Sequence, residues 1–161
     1  MRQYYKLLCL GLALIIAGTV QGQPQKAGGI PDPDLADEHF GHRNYVMALP
    51  IYVALVKKEA SNYLYNYRTG LCYLNTNSNK KEAVKYFEFC TKQPKADVDA
   101  WLYLGQAYHH AHRWDDAIGA YNSYKAKADK DGKARADLYI QQCSNAKVLV
   151  KSPLNVTFQS L

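Results

Sequence analysis

Residues 101–121 read WLYLGQAYHHAHRWDDAIGAY. Trp101, Leu104, Gly105 and Tyr108 fall at steps of three, one and three, and Ala117 and Tyr121 follow four apart. Steps of three and four keep side chains on one face of a helix. Two short helices are therefore expected here, with a turn after His110. A glycine inside a helix costs stability relative to alanine. Gly105 and Ala117 are best explained as points where two helix backbones come close, with the aromatic rings filling the space above and below.

Working outward from this stretch, the same pattern recurs. Ala48 is followed four residues on by Tyr52, Ala83 by Phe87, and Ala117 by Tyr121, so the alanines are 35 and 34 residues apart. Gly70 precedes Tyr73 by three residues, as Gly105 precedes Tyr108. Ala36 stands in the first segment where the other two have glycine. A period of this length marks a stacked array of helical hairpins, each covering an apolar face that its neighbour leaves open.

These residues resemble the tetratricopeptide repeat, a helix-turn-helix whose signature runs W-x2-L-G-x2-Y, then A-x3-F, then P. The resemblance covers about residues 34–131 and is fullest in the third segment. The second segment departs from it, with Asn66 at the Trp position, Thr69 at the Leu position and one extra residue in its turn; Pro94 closes it. The first keeps its second helix in good form and has a degenerate first helix. The expected fold is an all-α solenoid of three hairpins over residues 34–60, 61–96 and 97–131. A capping helix over 132–150 closes it.

Helix starts are marked by capping residues. Asp32 before Pro33 reads as a cap with proline at the first helical position. Ser61, Asp97 and Asp131 are expected to open the first helices of the second and third hairpins and the capping helix. Asn79 with Glu82 forms a capping-box-like pair. In the capping helix Tyr139, Cys143, Ala146 and Val150 form the expected inward stripe, with Gln141, Gln142 and Lys147 facing elsewhere.

The resemblance also implies a binding surface. In the family, ligands lie along the concave side lined by the first helix of each hairpin. The corresponding residues are Leu64, Tyr67, Leu71, Leu74 and Asn75 in the second hairpin, and Asp99, Leu102, Gln106, His109 and His110 in the third. Arg68 and Tyr103 sit beside them. Tyr67 and Leu71 occupy two places of the Lys and Asn carboxylate clamp found in chaperone-binding members, so a chaperone tail is not the expected ligand. A protein or peptide partner with apolar anchors fits better.

The chain's ends carry other signals. Arg2 and Lys6 followed by the apolar run Leu7–Ala17 read as a signal peptide over residues 1–22, too short to span a membrane. Val20 and Gly22 suit cleavage before Gln23. Cys9 lacks the leucine three residues earlier that lipid attachment needs, since Lys6 is there. Residues 23–33 form a Gly- and Pro-rich linker. After Pro153 the alternation of Leu154, Val156 and Phe158 with polar residues has strand periodicity, in an extended tail or the start of a β domain over 151–161. Leader, repeats, capping helix and tail together resemble the front of envelope proteins that continue into a PD40-type β-propeller and an OmpA-like domain. The resemblance implies an exported chain in the periplasm or at the outer membrane.

Composition narrows the function classes. Apolar residues make up 48% of the 161, enough for a packed core. Outside the leader, 18 basic face 14 acidic side chains; the lysines are scattered along solvated faces and make no nucleic-acid stripe. Cys72, Cys90 and Cys143 are odd in number and match no zinc spacing, so they read as buried thiols. His109 and His112 could share a helix face, but no Asp, Glu or Cys in that helix completes a metal set. His39 and His42 have the same placement in the first hairpin. No nucleophile motif or phosphate-binding loop is present. Asp115 and Asp116 suit a helix start through the dipole. The expectation is a non-catalytic scaffold without cofactor or metal. Alternatives are a small-ligand or metal-binding module using the histidine turn, and a non-catalytic fragment of a larger envelope protein.

Overall fold

The starts of the first helix of each hairpin and of the last helix coincide with polar side chains that bond exposed backbone N–H groups. In the computed structural model, which describes residues 30–151, Asp32 accepts from the backbone N–H groups of Asp34 (3.0 Å) and Leu35 (3.4 Å) and opens α1 (Pro33–Gly41). The segments expected to be a signal peptide, most of the linker and nearly all of the tail lie outside those residues. The second hairpin opens at Asn62 and not at Ser61: its Oδ1 accepts from Tyr65 N at 3.2 Å at the start of α3 (Tyr63–Leu74). Asp97 accepts from Asp99 N at 2.9 Å and starts α5 (Val98–His110). Asp129, not Asp131, caps α7 (Lys130–Lys151), accepting from Gly132 N at 2.8 Å. In two of these stretches the polar residue one or two places away has the reach, which spacing alone does not decide.

The second helices are α2 (Tyr45–Lys58), α4 (Ala83–Thr91) and α6 (Trp114–Lys127). A short 3-10 turn, Lys80–Glu82, leads into α4. Asn79 makes no capping bond there, and the Glu82 carboxylate accepts from Lys85 Nζ at 3.0 Å, so the expected capping box does not form. The described residues are all-α, in three hairpins (α1–α2, α3–α4, α5–α6) followed by α7, and each helix packs on the next. The degenerate first helix forms despite its weak pattern, anchored by Ala36, which is fully buried.

The small residues do the work their spacing implies. Ala36, Ala48, Ala83 and Ala117 are all 0% exposed. A Cβ on Gly70 would come within 2.6 Å of the Phe87 ring, and one on Gly105 would overlap the ring of Tyr121. Each hairpin thus sets an aromatic of its second helix flat against a residue of its first that has little or no side chain. Tyr52 takes this place in the first hairpin, beside Ala36. The departures in the second hairpin are met by backbone bonds. Buried Asn66 donates to the carbonyls of Ala60 (2.9 Å) and Asn62 (2.8 Å), and buried Thr69 donates to Tyr65 O at 2.6 Å.

The core divides in two. A smaller cluster joins Ala36, Ala48, Ile51, Tyr52, Leu55 and Cys72; a larger one runs from Leu74 and Phe87 through Tyr108 and Tyr121 to Ala136 and Cys143. Cys72, Cys90 and Cys143 are buried free thiols. In α7 the inward face is Ala136, Tyr139, Ile140 and Cys143, while Val150, expected on that stripe, is 65% exposed. Lys147, expected to face elsewhere, pairs with Asp115 of α6. The inward stripe therefore ends before the last turns of α7, where α6 no longer lies alongside.

Candidate partner-binding groove

The first helices α3 and α5 pack on each other directly, and no comparable packing joins α2 to α4 or α4 to α6. First helices that approach while second helices diverge bend the stack at this junction, with α3 and α5 on its inner side.

Of the residues expected along this side, Leu74 and Leu102 are only 8% and 3% exposed. Both belong to the large core cluster, so they back the groove and offer a partner nothing. Their burial leaves them little surface along the side where they were expected. Tyr67 and Leu71 are half-buried and pack against the same cluster. Tyr67 stacks on Tyr63 (ring centroids 5.8 Å) and meets Tyr103 edge-on at 5.9 Å, while Tyr103 stacks on Phe87 at 5.6 Å. Burial raises the hydroxyl pKa of both tyrosines, so both stay neutral at any physiological pH. Leu64 is 44% exposed at the start of α3 and adds an apolar contact at the rim.

Three expected residues have local duties. Asn75 is exposed, and its Nδ2 donates to Leu71 O at 2.8 Å, closing the end of α3. Asp99 is exposed in the first turn of α5, where its charge suits the helix dipole. Arg68 is already engaged: its guanidinium bonds the Asp37 carboxylate and the Tyr52 hydroxyl (3.0 Å) and lies 5.2 Å from the Phe40 ring centroid. Burial works to raise the Asp37 pKa, but its bonds to Arg68 and Tyr52 outweigh it and hold the carboxyl below its ordinary value. Arg68 thereby ties the second hairpin to the first.

Gln106, His109 and His110 are brought together. With Tyr121, Tyr139 and Gln142 they line a pocket of about 250 Å³ between α5 and α7. His109 Nδ1 is 3.6 Å from Cys143 Sγ, and its ring meets Trp114 edge-on at 4.9 Å. Burial lowers the pKa of both histidines; His112 adds to this at His109, and Lys80 foremost at His110. His112 itself has φ 58°, as does Arg43 in the first hairpin. The N–H groups that follow them reach back five residues, Arg113 to Tyr108 O and Asn44 to His39 O, closing the helices in the same way. His112 is a turn residue, so the possible shared face with His109 does not arise. Among the described residues no three His, Cys, Asp or Glu side chains are grouped to hold a metal ion. No described helix is long and apolar enough to cross a membrane.

Tyr121, Tyr139 and Gln142 were not among the residues expected at the groove. A signal for two of them is present: Tyr139 lies 34 residues after Gly105, so α7 continues the repeat as a further first helix, and Gln142 is one turn on.

A family model for the tetratricopeptide repeat matches residues 34–88 and again 76–132, together more than half of the chain. The chain belongs to the tetratricopeptide repeat family. Tetratricopeptide repeats generally mediate protein–protein interaction and are typically non-catalytic. Compared with curated proteins, the chain finds no match.

Proposed function

We propose that this tetratricopeptide repeat protein is a non-catalytic scaffold that holds a partner peptide or domain along the inner side of α3 and α5 and the adjoining face of α7. The observation that carries the reading is the character of that side. It presents half-exposed aromatic, aliphatic and amide groups, from Leu64, Tyr67 and Leu71 through Tyr103 to Gln106 and His109, with Arg68 already paired to Asp37. Such a surface suits a segment with apolar anchors and uncharged hydrogen-bonding groups.

We also propose an exported protein of the cell envelope, in the periplasm or at the outer membrane and serving an outer-membrane or secretion assembly. The basic-then-apolar start of the sequence supports export. The order of leader, repeats and strand-like tail supports kinship with envelope proteins that continue into a PD40-type propeller and an OmpA-like domain.

Site-specific photocrosslinking in envelope extract tests the groove. A crosslinker at Leu64 or His110 is expected to trap a discrete partner, while one at Lys57, on α2, traps none. Equal trapping from both sides, or trapping from Lys57 alone, rejects the assignment. Fractionation of the native host tests location: recovery of the chain in the cytoplasm with residues 1–22 still attached would reject export.

A further inference from the structure

The aromatic that faces the small residue of each first helix has a different fate in each hairpin. In the first, the Tyr52 hydroxyl is 2.6 Å from the Asp37 carboxylate and also meets Arg68. In the second the position is Phe87, which has no hydroxyl. In the third, Tyr121 is only 1% exposed, yet its hydroxyl makes no hydrogen bond; the residue after Gly105 is Gln106, where the first hairpin has Asp37. Among the described residues the one fully enclosed side-chain polar atom without a partner is Trp101 Nε1, so the Tyr121 oxygen is not sealed in. Tyr121 is one of the residues that line the pocket between α5 and α7.

We infer that this pocket is a recognition site for an uncharged primary amide, the side chain of an Asn or Gln of the partner. This rests on the reading of the groove as the partner-binding face and specifies what one part of it selects. The phenol of Tyr121, the amides of Gln106 and Gln142 and the neutral imidazoles of His109 and His110 each both donate and accept. A carboxylate only accepts and an ammonium only donates. Either would be desolvated here without an opposite charge in the lining, which costs more than these neutral groups return. A primary amide matches the lining in both senses. It is also planar, and the half-buried ring of Tyr139, held by stacking on Tyr121 (centroids 5.2 Å), gives the pocket an aromatic wall for it to lie against. Tyr103 stands one turn before Gln106 on α5 and meets Tyr67 edge-on, and these aromatic groups suit the rest of a polypeptide.

Selection of random linear peptides displayed on phage against the full chain tests this. The peptides recovered are expected to share an Asn or Gln at one position, and exchanging it for Asp or Lys should abolish binding. Tyr121→Phe keeps the ring against Gly105 and removes only the hydroxyl; it should weaken the best peptide roughly three- to tenfold, the loss of one hydrogen bond. Gln142→Ala, at an exposed position of α7, should weaken it to a similar extent and serves if Tyr121→Phe fails to fold. A shared acidic, basic or apolar residue in place of the amide, or unchanged binding in the folded variants, overturns the inference while leaving the groove standing. Recovery of no groove-binding peptide overturns the groove reading and this one together.

Discussion

At the scale of single residues, the fold rests on sites where a methyl group is too much. Gly105→Ala would drive a Cβ into the Tyr121 ring and is expected to destabilise the protein by about 1–3 kcal/mol. Gly119 in α6 has nothing within 4 Å of its would-be Cβ, so Gly119→Ala should stabilise by roughly 0.5–1 kcal/mol through helix propensity alone. Opposite shifts of the two urea midpoints are the expected result; shifts of the same sign would mean that the close approach is not what Gly105 is for. Arg43 has φ 58°, and Arg43→Gly is expected to raise stability by roughly 0.5–1 kcal/mol by removing the left-handed penalty. The two groove histidines link stability to pH. Their folded pKa values lie below the ordinary 6.5, so the unfolded chain takes up protons first as the solution is acidified. Their contribution is fully present above about pH 6.5 and is lost as pH falls from there through the folded values. A thermal-melt series from pH 7.5 downward should show this fall, and the variant with His109→Gln and His110→Gln should show less of it.

At the scale of helices, how much was legible depended on how locally each feature is determined. The hairpins were legible because Gly70, Gly105 and the alanines must recur at the repeat length for backbones to touch. The fit of α1 was not, since its short pattern gains support only from Tyr52 and Arg68 elsewhere in the chain. Caps slipped from Ser61 to Asn62 and from Asp131 to Asp129 because neighbouring polar residues differ in reach, not in type. Leu74 and Leu102 were assigned to the groove by position, but their burial follows from how closely α3 and α5 approach their partners. The pocket was invisible for a related reason: the fate of the Tyr121 hydroxyl depends on which residue of α5 stands opposite. One helix carries an evident local cost. Pro50 sits exposed inside α2, where it cannot donate to the Val46 carbonyl. Pro50→Ala is expected to raise the melting temperature, by an amount corresponding to about 1–3 kcal/mol.

At the scale of the whole molecule, two clusters of buried side chains meet in α3, and the Arg68 contacts to Asp37, Tyr52 and Phe40 bind the first hairpin to the second. The larger cluster draws on more helices, so amide exchange in α1 and α2 should be faster than in α5 and α6. Arg68→Met keeps much of the aliphatic stem and removes the charge. It should lower protection in α1 and α2 while leaving α5–α7 nearly unchanged; a uniform loss across all seven helices would show instead that the array opens as one unit.

A divided interior also bears on how the chain would meet mechanical load. Drawn apart from its two extremities, the solenoid would give way first at the amino-terminal hairpin and hold elsewhere, so that a tug on one side is spent in a small rupture while α5 and α7 keep their grip.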